Sequence, residues 1–354
     1  MNKIVLSILT LLFCMPTMAQ QRTDEAMLYA AQKQWRSMCR HSARLSQSAV
    51  LEPLMRTEQL GVFGTAGQGF VITARDKNFP AVLAYSDAPF PSENIPDGLQ
   101  WWLDQMGRII KSGSPSRSAM LSDVDYTPVE PLLKTNWAQD SPYNGLCPKT
   151  GGAWGTSAMT GCVATAMAQI LKYFQYPSSS TGKSYYLFDG SEARHNVTLS
   201  TTYDWANMAN AYTWNYSDAQ AKAVQELMRD CGYVSHMIYS AQGSGANAYD
   251  AGAGLSHNMR YDSLALSVDR RMFYNDEDWM SAIYVELQNQ RPILYNAVDP
   301  NMMGHAFVFD GMDSEGRVHI NWGWSGTANG YFDVRDLNGL APSYPNPYTG
   351  TDLN

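Results

Sequence analysis

Residues 161–175, GCVATAMAQILKYFQ, decide how the chain is read. Val163, Ala166, Met167, Ile170, Leu171 and Phe174 recur at three- and four-residue spacing, the stripe of a helix buried along one side. Pro177 stops it. Ala164, Thr165 and Ala168 are small enough for close packing on its other faces. The helix opens at Cys162, directly after a glycine that lets another backbone come near the sulfur. A thiol has an ordinary pKa of about 8.5, and the unpaired N–H groups and dipole of a helix N-terminus lower it. Position alone leaves two readings of Cys162 open, an activated nucleophile and an inert core cysteine.

A nucleophilic thiolate needs a group that holds its proton, and histidine does so near neutral pH. Six histidines are present. His41 lies in an N-terminal unit, His195 in a polar stretch, His257 among Gly and Asn, and His236 after a helix. His319 sits inside an apolar run. His305 differs, because it begins the strand-like Ala306-Phe307-Val308-Phe309 immediately after Gly304, where a substrate backbone could pass. Asn321-Trp322-Gly323-Trp324 follows the strand-like Val318-His319-Ile320. A hairpin between 305–309 and 318–320 would return Asn321 and Trp322 towards His305, where an amide or an aromatic wall could orient the imidazole.

Around these segments the pattern is helices early and strands late, an α+β domain rather than alternating βαβ units. Helices are expected over 218–231 and 276–290, and strands over 293–295, 305–309, 318–320 and 330–334. Upstream, a smaller α+β unit is expected: a helix over 24–42, strands at 70–73 and 81–85, and a helix over 98–110. Between the units, KSGSPSRSAMLSDVD (111–125) has little to bury and should be open to proteolysis. Lys3, the apolar run from Ile4 to Phe13 and the small residues around Ala19 read as an export signal, 1–19, too short for a membrane anchor. The expected division is therefore 1–19 signal, 20–110 first unit, 111–125 linker and 126–354 second unit.

With 45% hydrophobic residues, the 354-residue chain has ample material for cores and is not a disordered protein. A net charge of −8 makes nucleic acid a poor partner. Ten Trp and 21 Tyr can wall a groove as well as fill a core. Export would leave Cys39, Cys147, Cys162 and Cys231, too sparse for a disulfide scaffold and without a CxxC for zinc.

Three segments, in order, resemble the streptopain family of secreted bacterial cysteine peptidases, its interpain-type proenzymes in particular. Gly161 to Ala166 with Gln169-Ile170 is similar to the nucleophile segment, Gly304 to Val308 with Asp310-Gly311 to the histidine segment, and Asn321 to Trp324 to the third. Gln139 to Asn144 resembles the segment that supplies an oxyanion-hole glutamine, here Gln139. Phe70 to Tyr85 resembles the strand region of the family's pro-domain. The resemblance implies a papain-like catalytic domain behind an inhibitory pro-domain, acting on protein and peptide substrates without metal or organic cofactor, and off the membrane once the signal is removed. It implies an apolar preference two residues before the cleaved bond. It gives catalytic positions Cys162, His305, Gln139, Asn321 and Trp322, and a substrate channel lined by Gln242, Gly243, Ser244, Gly304 and Trp324. Within the pro-domain, Ser86 to Asp97 is expected to reach the groove. Family members continue into a further strand, which implies a longer precursor than Asn354 closes. Two rival classes share some of these features: a Cys–His acyltransferase, and a secreted adhesin with an aromatic binding face.

Overall fold

The computed structural model describes residues 21–113, 126–151, 155–298, 304–335, 337 and 351–353. The expected signal, 1–19, and most of the expected linker lie outside the described residues. Helix α1 (Asp24–Met38) starts where the Thr23 hydroxyl accepts the Ala26 N–H, and it buries Met27, Ala31, Trp35 and Met38 at helical spacing. Strands β1 (Glu52–Arg56), β2 (Leu60–Gly64), β3 (Phe70–Ala74) and β4 (Val82–Ser86) form an antiparallel meander. Helix α2 (Asp97–Ser112) ends on Gly113, left-handed at φ 67°. The residues expected to open the linker, Lys111 and Ser112, are thus the last turn of this helix.

Helices α3 (Cys162–Phe174), α4 (Asp218–Val234), α5 (Ala248–His257) and α6 (Asp276–Gln288) belong to the second unit. A capping box between Ser217 and Gln220 begins α4. Strands β5 (Lys183–Phe188), β6 (His195–Thr198) and β7 (Ile238–Tyr239) make a small sheet in the order β6-β5-β7. The remaining strands are β8 (Val268–Arg270), β9 (Ile293–Val298), β10 (Gly304–Met312), β11 (Val318–Asn321), β12 (Gly330–Phe332) and β13 (Thr351–Leu353). The hairpin expected between 305–309 and 318–320 forms, with Val308 opposite Asn321 and Phe309 opposite Ile320.

The two units share one ten-stranded sheet, β1-β2-β3-β4-β12-β11-β10-β9-β13-β8. The join is β4 on β12, with Tyr85 opposite Tyr331 and Ala84 opposite Phe332. Strand alternation sorts the side chains to two faces. On one face Phe70, Ile72, Phe307, Phe309, Ile320 and Phe332 pack under α2 and α6 in one core that runs across both units. On the other, Phe63 and Val71 meet α1, whereas Leu294, Ala306 and Val308 meet α3, α4 and α5. Sequence periodicity does not announce the β4–β12 join, because each strand is only ordinary edge material until the other arrives.

Candidate active site

Gly161 caps α3 at φ 86°, ψ 146°, a conformation that excludes side chains. A Cβ there would lie 2.7 Å from the Met237 sulfur and 3.0 Å from the Ser244 carbonyl oxygen. Glycine is therefore required twice, for the backbone angle and for the approach of the 242–245 loop. That approach sets Ser244 beside the nucleophile position, and its hydroxyl is buried with no hydrogen-bond partner.

Cys162 is half-buried as the first residue of α3. Burial raises its thiol pKa, and the N–H groups of Ala306, Val163 and Cys162 itself pull the other way, while the carboxylate of Asp97 pushes it up again. The outcome is a thiol above the ordinary range. The lowering expected from the helix N-terminus is present but loses to desolvation in this form. The Ala306 contact shows where the sulfur sits, against the strand residue next to His305.

His305 is half-buried near the start of β10, opposite Ala297 of β9. Ala297 and Phe307 both pack into the core beneath α2 and α6. Helix α3 lies over the other face, that of Ala306 and Val308. The Cys162 sulfur reaches the same strand end, at the Ala306 amide next to His305, and feels the Asp97 carboxylate at the start of α2.

Gln139 is half-buried, and its carbonyl accepts the Thr160 N–H at 3.0 Å, two residues before Cys162. Asn321 is buried, and its amide has partners on Gln169, Thr135 and Gly323. Its Oδ1 accepts from Gln169 Nε2 at 3.2 Å and from the Gly323 N–H at 3.1 Å; its Nδ2 donates to the Thr135 carbonyl at 2.9 Å and to Gln169 Oε1 at 3.3 Å. Trp322, 2% exposed, lies edge-on to Phe307 at 4.8 Å and donates its indole N–H to the Ala328 carbonyl. Among the residues expected to line a channel, Trp324 packs partly against the same core, and Gln242, Gly243 and Gly304 are exposed. Gln242 accepts the Ser240 hydroxyl at 2.9 Å.

The first unit reaches this region through the start of α2. A Cβ on Gly98 would lie 2.7 Å from the Trp322 ring and 3.2 Å from Phe307. Trp102 donates its indole N–H to the Asp333 carbonyl at 2.9 Å and lies edge-on to Phe332. All four described cysteines are free thiols, and burial pushes Cys147 up to about 12. Among the described residues no group of three or more His, Cys, Asp or Glu converges as metal ligands would.

Residues 137–332 match the Peptidase C10 family, and residues 52–110 match the Spi protease inhibitor family. The chain belongs to the peptidase C10 family. Its fold is a papain-like catalytic domain preceded by a small inhibitor-like pro-domain. Among its relatives, the thiol protease/hemagglutinin PrtT of Porphyromonas gingivalis is 29% identical over 364 aligned positions, covering 96% of this chain but 42% of PrtT. Streptopain of Streptococcus pyogenes is 31% identical, covering 78% of this chain and 74% of streptopain. The structure of a prointerpain A fragment from Prevotella intermedia, a Cys-to-Ala mutant, superimposes with a TM-score of 0.74 at 34% identity, covering 86% of this chain and 98% of the fragment. Active wild-type interpain A gives 0.56 at 35% identity, covering 68% of this chain and 97% of its own.

Gln169 is the member of the family's nucleophile segment whose role sequence reasoning missed. The sequence marks it as part of that segment but gives it no partner, because its partners lie 32–34 and 152 residues away.

Proposed function

We propose that the chain is the latent precursor of a secreted cysteine endopeptidase of broad preference, favouring an apolar residue two positions before the cleaved bond. The observation that carries the reading is Cys162 at the head of α3, its sulfur against the Ala306 amide beside His305, inside the span that matches the C10 family. In the active form, Cys162 as thiolate attacks the peptide carbonyl while protonated His305 balances its charge. The Gln139 carboxamide and the Cys162 N–H hold the developing oxyanion; removing one such donor costs about 10²–10³ in rate. His305 gives its proton to the leaving amine, and the thioester remains on Cys162. Water then adds to the thioester, His305 takes its proton, and the carboxylic acid product leaves as the Cys162 thiolate re-forms beside protonated His305. Asn321 and Trp322 act on the histidine's surroundings, Trp322 through the ring wall on Phe307. Gln242, Gly243, Ser244, Gly304 and Trp324 line the substrate channel.

Latency follows from the same contacts. The pro-domain lays the start of α2 on Trp322, and its Asp97 carboxylate discourages the thiolate. Cleavage within 110–125 by the enzyme itself would free the groove. The test uses Cys162→Ala in a protease-free preparation: it should stay uncut yet be cut by added wild type. Spontaneous maturation of that variant overturns self-processing. An epoxide inhibitor of cysteine peptidases should modify the matured chain at Cys162, and modification elsewhere or nowhere overturns the assignment of the nucleophile.

A further inference from the structure

Seven residues after Cys162 is nearly two turns of helix, so Gln169 stands on about the same side of α3, about 10 Å along its axis. It is fully buried, with 0% exposure, in a place where an amide must satisfy every hydrogen bond it gives up to water. Gln169 Oε1 accepts from the Thr135 hydroxyl at 3.0 Å, the Trp137 N–H at 3.3 Å and Asn321 Nδ2 at 3.3 Å. Its Nε2 donates to Asn321 Oδ1 at 3.2 Å. Three backbone groups fix which way both amides point. The Trp137 N–H demands an oxygen from Gln169, and the Gly323 N–H demands one from Asn321, whose nitrogen faces the Thr135 carbonyl.

Three separate stretches meet at this one carboxamide. The helix carries Cys162, the stretch from Thr135 to Trp137 leads directly into Gln139, and the end of β11 carries Asn321 and Trp322. We infer that Gln169 is a positioning residue of the proposed peptidase centre, setting the Gln139 oxyanion donor and the Trp322 wall relative to Cys162 through its paired amide bonds with Asn321. The inference rests on the peptidase reading above. Gln169 touches none of the atoms that would react. Its effect comes through geometry, where a displacement of about 1 Å costs up to about a hundredfold in rate.

The chemistry of the pair supplies a test that a merely structural role would not meet. In Gln169→Glu one carboxyl oxygen keeps the acceptor contacts with Thr135, Trp137 and Asn321 Nδ2. The other faces Asn321 Oδ1, where it repels as a carboxylate and donates a hydrogen bond as the neutral acid. The full chain is allowed to mature, its sites are counted with an epoxide inhibitor, and peptide hydrolysis is measured per counted site. Gln169→Met should lower kcat about tenfold or more with KM within about threefold. For Gln169→Glu, kcat relative to wild type should rise as pH falls and the carboxyl takes up its proton. A per-site kcat within about twofold of wild type for Gln169→Met overturns the inference. If Gln169→Met does not fold, a ratio for Gln169→Glu that is flat with pH overturns it instead. The wild type and Cys162→Ala run alongside separate the two claims. Hydrolysis that needs Cys162 but ignores Gln169 sinks only the positioning role, whereas a wild type without hydrolysis sinks the peptidase reading and this inference with it.

Discussion

At the scale of single residues the balance at Cys162 is a contest between desolvation and N–H donors, and desolvation wins, with the Asp97 charge of α2 on its side. A raised thiol pKa means that thiolate, the alkylating form, appears only at higher pH. Alkylation of Cys162 in the uncut chain, followed by peptide mapping, should therefore rise only above the ordinary thiol range. Asp97→Asn removes a charge that opposes the anion, so its midpoint should move to lower pH. A midpoint below about 8.5 in the uncut wild type contradicts the reading. Gly161 supports a second expectation. Its φ of 86° and the 2.7 Å approach to Met237 leave no room for a methyl group. Gly161→Ala should cost about 1–3 kcal/mol of backbone strain and shift the 242–245 loop, read as a lower denaturation midpoint together with lost turnover.

Among elements, α2 is the one on which the proposed latency rests. At Gly98 its backbone comes down on Trp322, so a larger residue must lift the helix N-terminus away from that ring. Gly98→Leu in the full chain should mature faster than wild type, followed on a gel as loss of the precursor band. Maturation at the wild-type rate would show that this contact does not hold the precursor closed. The helices were readable from sequence because α1, α2, α3, α4 and α6 each bury one stripe at a period of 3.6. Strand pairs were readable where two apolar runs lay close in sequence, as in β10 and β11. β1, whose residues are mostly exposed, and the short β7 carry no such period, and α5 runs through AYDAGAGLSH, whose small residues give a weak stripe. The places of the two candidates were legible, Cys162 at a helix head after glycine and His305 near a strand head. The partners of Asn321 were not legible, because packing chooses them: the amide faces Gln169 and Thr135, and no local pattern encodes that choice.

For the whole molecule, the pro-domain does not sit on the catalytic domain as a separate body but extends its sheet. The core beneath α2 and α6 contains Leu60, Phe70 and Ile72 from one unit and Tyr295, Phe307 and Phe332 from the other. The Tyr85 ring stacks on Tyr331 at 5.1 Å, and the Leu83 carbonyl accepts the Asp333 N–H at 2.8 Å. The buried Arg317, 3% exposed, pairs with Asp313 and also donates to the Val82 carbonyl, so the charge network of the hairpin closes over β4. Independent unfolding of either unit would expose much of this core to water, at about 25 cal/mol for each Å² of apolar surface. The uncut Cys162→Ala chain should consequently unfold in one cooperative transition, with calorimetric and van't Hoff enthalpies equal. Trp102→Ala removes an indole anchored on Asp333 from the middle of that shared core, a loss of about 3–5 kcal/mol. Because the loss falls on the join, it should lower the single transition or split it in two, whereas an unchanged transition would mean that the units are held together by something other than their common sheet and core.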